Sequence, residues 1–302
     1  MPYRISPDAG LETEVRQIAR EQLERAIVAL ETRPDGLHEA IHEARKKFKR
    51  VRNLYRLVAS ADKTFRRQEN ARIRDTARGL SLVRDATALI ETVDHLSEHT
   101  LTDDEAETLD AARTVLVLRR DDIASSETDL EDKVRHAIDQ CRAAYAALDA
   151  LELPSRPGHA ARLLAKGWRK GLQRAAEALE FCEGQGHGEA YHDLRKAAQA
   201  YWTNLSLLRE LWPSAFAAKR RDAKRLVDLL GHEHDLTVLT ALLDHEPEIF
   251  GDGEGQSFLL AIIIRRQQDL RREAVALAGQ VFADPAKDEA DVIETLWLRA
   301  TA

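Results

Sequence analysis

The feature that most constrains this chain is helical periodicity from one end to the other. Apolar residues recur at the three- and four-residue spacing of amphipathic helices, and no stretch keeps the two-residue alternation of a half-buried strand. Glycine (14) and proline (8) are scarce among the 302 residues and cluster between the periodic stretches. The sequence therefore predicts an all-α fold with helices over 8–32, 36–60, 63–98, 103–121, 127–150, 156–182, 188–210, 214–245, 254–282 and 287–300, with a bend or break near Gly79 and Gly231.

The two halves of the chain resemble each other at a fixed offset of 150 residues. Glu39–Lys46 falls on Glu189–Lys196, and Arg84–Leu89 falls on His234–Leu239, without gaps. A constant offset near half the chain length indicates a duplicated helical unit. We predict one domain over 1–302, built from two helical repeats, 1–152 and 153–302, that form a pair of bundles related by pseudo-two-fold symmetry around a basic central groove.

The net charge of −7 is distributed unevenly. Residues 42–85 hold 14 lysines and arginines against five acidic residues, a net +9 that leaves −16 on the rest of the chain. Salt screens charges beyond about 8 Å at physiological ionic strength, so an acidic total does not exclude a polyanionic ligand.

One helix of this basic segment carries its cations beside its apolar face. At 100° per residue, Arg45, Lys49, Arg52 and Arg56 share a narrow sector with His42 at its rim. We call these four cations, on the second predicted helix (36–60), the α2 stripe. A solvated surface helix would instead carry Glu–Lys pairs at i,i+4, which we do not expect here. Single-strand nucleic-acid binders interleave aromatic residues for base stacking, so nucleic acid is an unlikely ligand and phosphate without bases fits better.

These motifs resemble those of the CHAD family, the conserved histidine α-helical domain. They are His42–Arg52, Gly79–Asp85, Tyr191–Lys196, Leu229–Leu236 and Ile264–Arg272. The resemblance implies binding of inorganic polyphosphate in a basic central cavity between two helical bundles, without catalysis. Carried over by position, it implies polyphosphate contacts from Arg20, His42, Arg45, Lys46, Lys49, Arg50, Arg52, Lys170, His192, Arg195, Lys196, Lys224, Arg265 and Arg266. The second half departs from the pattern, since Gln199, Ala200 and Trp202 stand where the first has Lys49, Arg50 and Arg52.

Two other functions stay open at this point. The same cations could clamp a substrate for a magnesium-dependent enzyme of polyphosphate or nucleotide metabolism, with Asp85, Asp235 or Glu233 holding the ion. Alternatively, the helices could form a scaffold for a protein or nucleic-acid partner. We expect Asp85 and Asp235 instead to cap a helix break or orient an arginine.

No metal or cofactor is predicted. His95 and His99 have the i,i+4 spacing that zinc ligands use, and His232–Asp235 is rich in ligand types, but neither group has a third ligand nearby in sequence. The longest apolar run, Phe258–Ile264, is too short to span a membrane. With two cysteines and no basic-then-apolar leader, we expect a cytoplasmic protein, associated with polyphosphate granules where these occur.

Overall fold

The computed structural model describes residues 3–80, 82–184 and 188–302. Within these ranges every regular element is a helix, which confirms the all-α prediction. The α-helices are α1 (Leu11–Thr32), α2 (Leu37–Leu57), α3 (Lys63–Gly79), α4 (Leu82–Ser97), α5 (Asp103–Ser126), α6 (Leu130–Ala147), α7 (Pro157–Gly184), α8 (Gly188–Leu207), α9 (Pro213–His245), α10 (Gly253–Val281) and α11 (Ala286–Ala300). None of the described helices combines the length and apolar content that crossing a bilayer requires.

One of the two predicted helix breaks is present. α3 ends at Gly79 and α4 begins at Leu82, as predicted, although Ser81 of the Gly79–Asp85 motif lies outside the described residues. Of the bend or break predicted near Gly231, the break is wrong, because α9 runs uninterrupted from Pro213 to His245. A helical glycine costs only about 1 kcal/mol relative to alanine. The buried leucines on both sides of Gly231 offset that cost. The predicted breaker at 184–188 lies largely outside the described residues.

Side-chain caps begin helices at starts that the sequence predicts. The Asp62 carboxylate accepts hydrogen bonds from the backbone of Thr64 and Phe65 and starts α3. Thr102 caps α5 in the same way. Each cap satisfies amides that have no partner within the helix, which is why these short polar residues mark helix starts in the sequence.

The largest hydrophobic core contains residues from both halves of the sequence. Its bulkiest fully buried side chains include Phe48 and Tyr55 of α2, Trp168 of α7 and Trp297 of α11. A second core packs α4 and α5 against α10 and the end of α9, and it includes Leu89, Val93, Leu109, Leu239 and Ile263. A third includes Leu194, Ala198, Leu226, Leu230 and Ala274. The two halves therefore interlock instead of packing as separate units.

Two contacts hold α2 against the second half. The Asn53 side chain of α2 donates a 2.8 Å hydrogen bond to the Asn204 side chain of α8, and both residues are buried. Gly167 of α7 packs directly on the end of α2: a Cβ there would lie 1.9 Å from the Leu57 carbonyl oxygen. These contacts fix where the cations of α2 lie relative to α7 and α8.

Candidate functional site

The N-terminal part of the α2 stripe lines a cavity shared with α3. This α2–α3 cavity has a volume of about 370 Å³, and its charged lining residues are Arg45, Lys49, Arg52, Arg74, Arg78 and Asp85. Arg45 donates a 2.8 Å hydrogen bond to the Ala77 carbonyl oxygen, and Arg52 donates a 3.0 Å bond to the Asn70 side chain. α3 thus orients two of the cations, and five basic groups face one acidic group.

A second cavity lies where the end of α2 meets α7 and α8. This α7–α8 cavity has a volume of about 580 Å³, and its charged lining residues are Arg56, Lys63, Arg66, Lys170, Arg174, Lys196, Glu177 and Asp193. Lys196 pairs with Asp193 at 2.9 Å. Among the described residues, no acidic group lies within ion-pair distance of the other five cations. Positive charge is again in excess.

The cations of the two cavities repel one another through α2. Burial, then the neighbouring Arg174 and Arg66, lowers the pKa of Arg56. Burial and then Arg56 lower the pKa of Arg52. Lys49 keeps contact with solvent, yet burial, followed by the charge of Arg195 of α8, lowers its pKa. Like charges are therefore held close together along the stripe, and within the described ranges Arg45 is its one member with an acidic group, Asp85, at ion-pair distance.

Three histidines lie beside these cations. His42 accepts a 3.1 Å hydrogen bond from Arg84 at Nδ1. The rings of His192 and His234 lie 4.9 Å apart between centroids, and the buried Nδ1 of His192 has no hydrogen-bond partner in the described part of the chain. Burial lowers the pKa of all three and, together with Arg195, brings that of His234 to about 4. The three rings are therefore neutral at pH 7.

The low pKa of His234 makes stability depend on pH. An unfolded chain takes up this proton near pH 6.5, whereas the folded protein resists it until about pH 4, so acid favours the unfolded state across that interval. We expect the free energy of unfolding to fall between about pH 7 and about pH 4.5, and to fall less in His234→Gln. Denaturant titrations at both pH values measure this. Equal losses in the two proteins would contradict it.

The structure brings together eight of the predicted site residues. Arg45, Lys49 and Arg52 line the α2–α3 cavity, and Lys170 and Lys196 line the α7–α8 cavity. The remaining three are linked to Lys49 through their neighbours. Arg195 acts on the charge of Lys49, the ring of His192 lies beside His234, on which Lys49 also acts, and His42 accepts a hydrogen bond from Arg84, whose charge acts on Lys49.

The other six predicted site residues line neither of these two cavities. Most of them form ion pairs or aromatic contacts elsewhere in the protein. Arg50 donates to Gln22 at 3.3 Å and lies over the Tyr3 ring, because one residue of helical rotation turns it from the stripe towards α1. Arg265 forms a bidentate pair with Glu105 that joins α10 to α5. Of the remaining four, Arg20 forms an ion pair with Asp149 and lies over the Tyr145 ring, Lys46 pairs with Glu43, and Lys224 pairs with Asp228. Arg266 lines a third cavity, which is described below.

The expectation that α2 lacks Glu–Lys pairs is wrong at one point. Glu43 contacts Lys46 at 2.6 Å and Lys47 at 2.7 Å, and these hydrogen bonds lower its pKa to about 2. This trio lies outside the sector of the α2 stripe. The stripe itself therefore remains without acidic partners from its own helix.

Sequence reasoning missed several cavity cations. Arg56 belongs to the α2 stripe but not to the predicted contact set, and Lys63, Arg66, Arg74 and Arg78 fall in the +9 segment. The sequence signal that could have identified these four residues was the local excess of positive charge. Arg174 of α7 gave no such signal, because it lies far from that segment in sequence and only packing brings it to Arg56.

Asp85 and Asp235 differ in their roles. Asp85 lies 3.5 Å from an Arg45 guanidinium nitrogen, which agrees with the expectation that it neighbours an arginine, although the hydrogen bond that holds Arg45 goes to the Ala77 carbonyl oxygen. Asp235 caps no helix break, because it lies inside the continuous α9. Burial raises its pKa while the charge of Arg195 opposes that rise.

A third cavity, the histidine cavity, lies between α4 and α9. It has a volume of about 350 Å³ and is lined by residues that include Glu91, Asp94, His95, Glu98, His232, Asp235 and Arg266. One ligand atom from each of His95, Glu98 and His99 lies within 4.8 Å of the others, as does one from each of Glu39, His42 and Glu43. The expectation that His95 and His99 lack a nearby third ligand is wrong, since Glu98 supplies one.

Comparison with known proteins adds one finding. A family model for the CHAD domain matches residues 17–244, more than half of the chain. The match contains α2, α3, α4, α8 and nearly all of α9, and it ends before the Ile264–Arg272 motif of α10. A search of curated proteins found no match.

Proposed function

The chain belongs to the CHAD domain family, and on that premise we propose that it binds inorganic polyphosphate without catalysing a reaction. The binding site would be one basic groove between two halves related by pseudo-two-fold symmetry. The α2–α3 cavity and the α7–α8 cavity would be its two ends, joined along the α2 stripe. We expect the protein to act in the cytoplasm, at polyphosphate granules.

The crowding of unpaired cations is the observation that carries this proposal. Arg174 and Arg66 lie close enough to Arg56 to lower its pKa, and Arg195 and Arg45 do the same to Lys49. Within the described ranges, Lys49, Arg56, Arg66 and Arg174 have no acidic partner at ion-pair distance. Such an arrangement costs folding free energy. A chain of phosphates would remove that cost, because arginine and lysine donate charge-assisted hydrogen bonds to phosphate oxygens.

The chemistry of the cavities favours phosphate over nucleic acid. Phe48 of the α2–α3 cavity is 1% exposed and belongs to the core. Phe181, 59% exposed, offers one aromatic face at the α7–α8 cavity. Base-stacking sites use successive aromatic side chains along a strand, so a single face supports a ligand without bases.

Two of the three acidic residues suggested for a magnesium enzyme, Glu233 and Asp85, have other partners. The Glu233 carboxylate accepts hydrogen bonds from Arg271 at 2.7 and 2.9 Å and from Gln267 at 3.2 Å, and it is buried. Asp85 is held beside Arg45. These contacts support a binding role over a catalytic one.

Titration of the protein with long-chain polyphosphate tests the proposal. We expect binding at low salt that weakens steeply as salt rises, because each phosphate contact releases counterions. We also expect no phosphate release with added Mg²⁺, and weaker competition from single-stranded DNA at equal phosphate concentration. An absence of binding at low salt would refute the proposal. Phosphate release would favour the enzyme, and equal competition by DNA would favour a general polyanion binder.

A further inference from the structure

Imidazoles from distant parts of the sequence meet at the histidine cavity. His95, near the end of α4, and His232 of α9 line this cavity, and His99 lies beside it in the turn that follows α4. The rings of His95 and His232 are stacked, with centroids 3.8 Å apart and an interplanar angle of 18°. The His99 ring meets the edge of His95 at 5.3 Å. Two distant segments thus converge on one small space.

The donor atoms are spaced for a metal ion. Ligand atoms of His95, Glu98 and His99 lie within 4.8 Å of one another, and Nδ1 of His95 is 3.3 Å from a Glu98 carboxylate oxygen. Zinc binds imidazole nitrogen at about 2.0–2.1 Å and carboxylate oxygen at about 2.0–2.2 Å. The three donors therefore lie near one another but must move closer to bind one ion. His95 is on the last turn of α4, and Glu98 and His99 lie in the turn that follows it.

The two ring nitrogens of His95 have different surroundings. Nδ1 lies 3.3 Å from a Glu98 carboxylate oxygen, whereas Nε2 is inaccessible to solvent and has no hydrogen-bond partner in the described part of the protein. An ion shared with Glu98 would therefore bind at Nδ1 and leave the proton of the neutral ring on Nε2. In this arrangement Glu98 is a direct ligand.

The charge of the cavity also suits a cation. Its lining contains four acidic residues and one basic residue, Arg266. Glu91 and Asp94 are held by Arg84 and Arg113, at 2.7 and 2.6 Å. Within the described ranges Glu98 contacts no lysine or arginine. This lining contrasts with the two cavities assigned above to phosphate, where cations are in excess.

We propose that His95, Glu98 and His99 bind a divalent transition-metal ion of the zinc type, beside His232 and apart from the phosphate-binding cavities. His232 packs on the face of His95 and holds that ring in place, and water completes the coordination. Mixed imidazole and carboxylate donors suit zinc and its neighbours, whereas Mg²⁺ prefers oxygen donors alone.

Calorimetric titration of the untagged full chain with Zn²⁺ tests this site. We expect one equivalent of zinc to bind, and His99→Ala and Glu98→Ala each to weaken binding at least about 10-fold, the loss that even an outer-shell substitution causes. Both side chains are exposed, so neither variant should fail to fold. His159→Ala, which removes an exposed histidine on α7, is the matched control and should bind zinc like the wild type.

Three results would overturn the proposal. The first is no zinc binding by the wild type, and the second is His99→Ala binding as tightly as His159→Ala. The third is displacement of zinc by an equal concentration of Mg²⁺, which would indicate a carboxylate site without imidazole ligands. Polyphosphate binding is measured separately on the same variants, so the two proposals stand or fall independently.

Discussion

Replacing Lys49 and Arg56 together by alanine is expected to weaken polyphosphate binding about 100-fold while leaving the fold intact. Each side chain can donate a hydrogen bond to a charged phosphate, an interaction worth about 1.5–3 kcal/mol. Since about 1.4 kcal/mol is tenfold in affinity, each single variant should lose about 10-fold. The logarithmic salt dependence should also become shallower by about one unit for each contact removed.

The stability of this double variant should stay the same or rise, although its affinity for polyphosphate falls. The charged groups that act most strongly on Lys49 and Arg56 are other cations, led by Arg195 and Arg174 respectively. Removing these two charges relieves repulsion, and alanine is the strongest helix former. We therefore expect the double variant to unfold at the same denaturant concentration as the wild type or at a higher one.

A control variant that loses the same number of positive charges distinguishes the loss of local contacts from the loss of net charge. Arg135→Ala/Lys287→Ala removes two exposed cations from α6 and α11, outside the three cavities described above. This control should bind polyphosphate nearly as tightly as the wild type. If both double variants lose affinity equally, the groove is not the binding site. If Lys49→Ala alone or Arg56→Ala alone has no effect, the ligand does not span both cavities.

The second large expected effect is on stability. Gly167→Ala should lower the free energy of unfolding by about 3 kcal/mol, at the upper end of the cost of overpacking a core. The new methyl group would lie 1.9 Å from the Leu57 carbonyl oxygen. Because that atom belongs to the backbone, α7 as a whole must move away from α2. Denaturant unfolding measures the change.

Gly171→Ala is the matched control for this prediction. Gly171 lies one turn further along α7, and a Cβ there meets no atom within 4 Å. Alanine should therefore stabilise the helix by about 0.5–1 kcal/mol through its higher propensity. If the two variants have the same stability, the close approach of α7 to α2 is not a constraint on the fold.

Much of the fold was predictable because helix boundaries depend on local chemistry. Asp62, Thr102 and Asp252 cap helices at the starts that the sequence indicates. The exception is Gly231, where a bend or break was predicted and α9 has no break. A glycine gives a local preference of about 1 kcal/mol, and the packing of the flanking leucines exceeds it.

The candidate site was predictable only in part. Helical rotation alone groups Arg45, Lys49, Arg52 and Arg56 on one face, and the structure keeps them together. Helical rotation offered no reason to exclude Arg265 from the predicted site, because its partner Glu105 is 160 residues away in the sequence. Nor did it include Arg174, which reaches Arg56 only through the packing of α7.

By itself, the sequence determined that the chain is helical, where most helices begin and end, and which helix carries a row of cations beside its apolar face. These properties follow from capping, periodicity and side-chain chemistry within a few residues. Only the tertiary structure decided which of the many charges face one another, and that His95 and His232 meet. Such encounters depend on how closely whole helices approach, as at Gly167 and Leu57, and that approach is set by packing between distant segments.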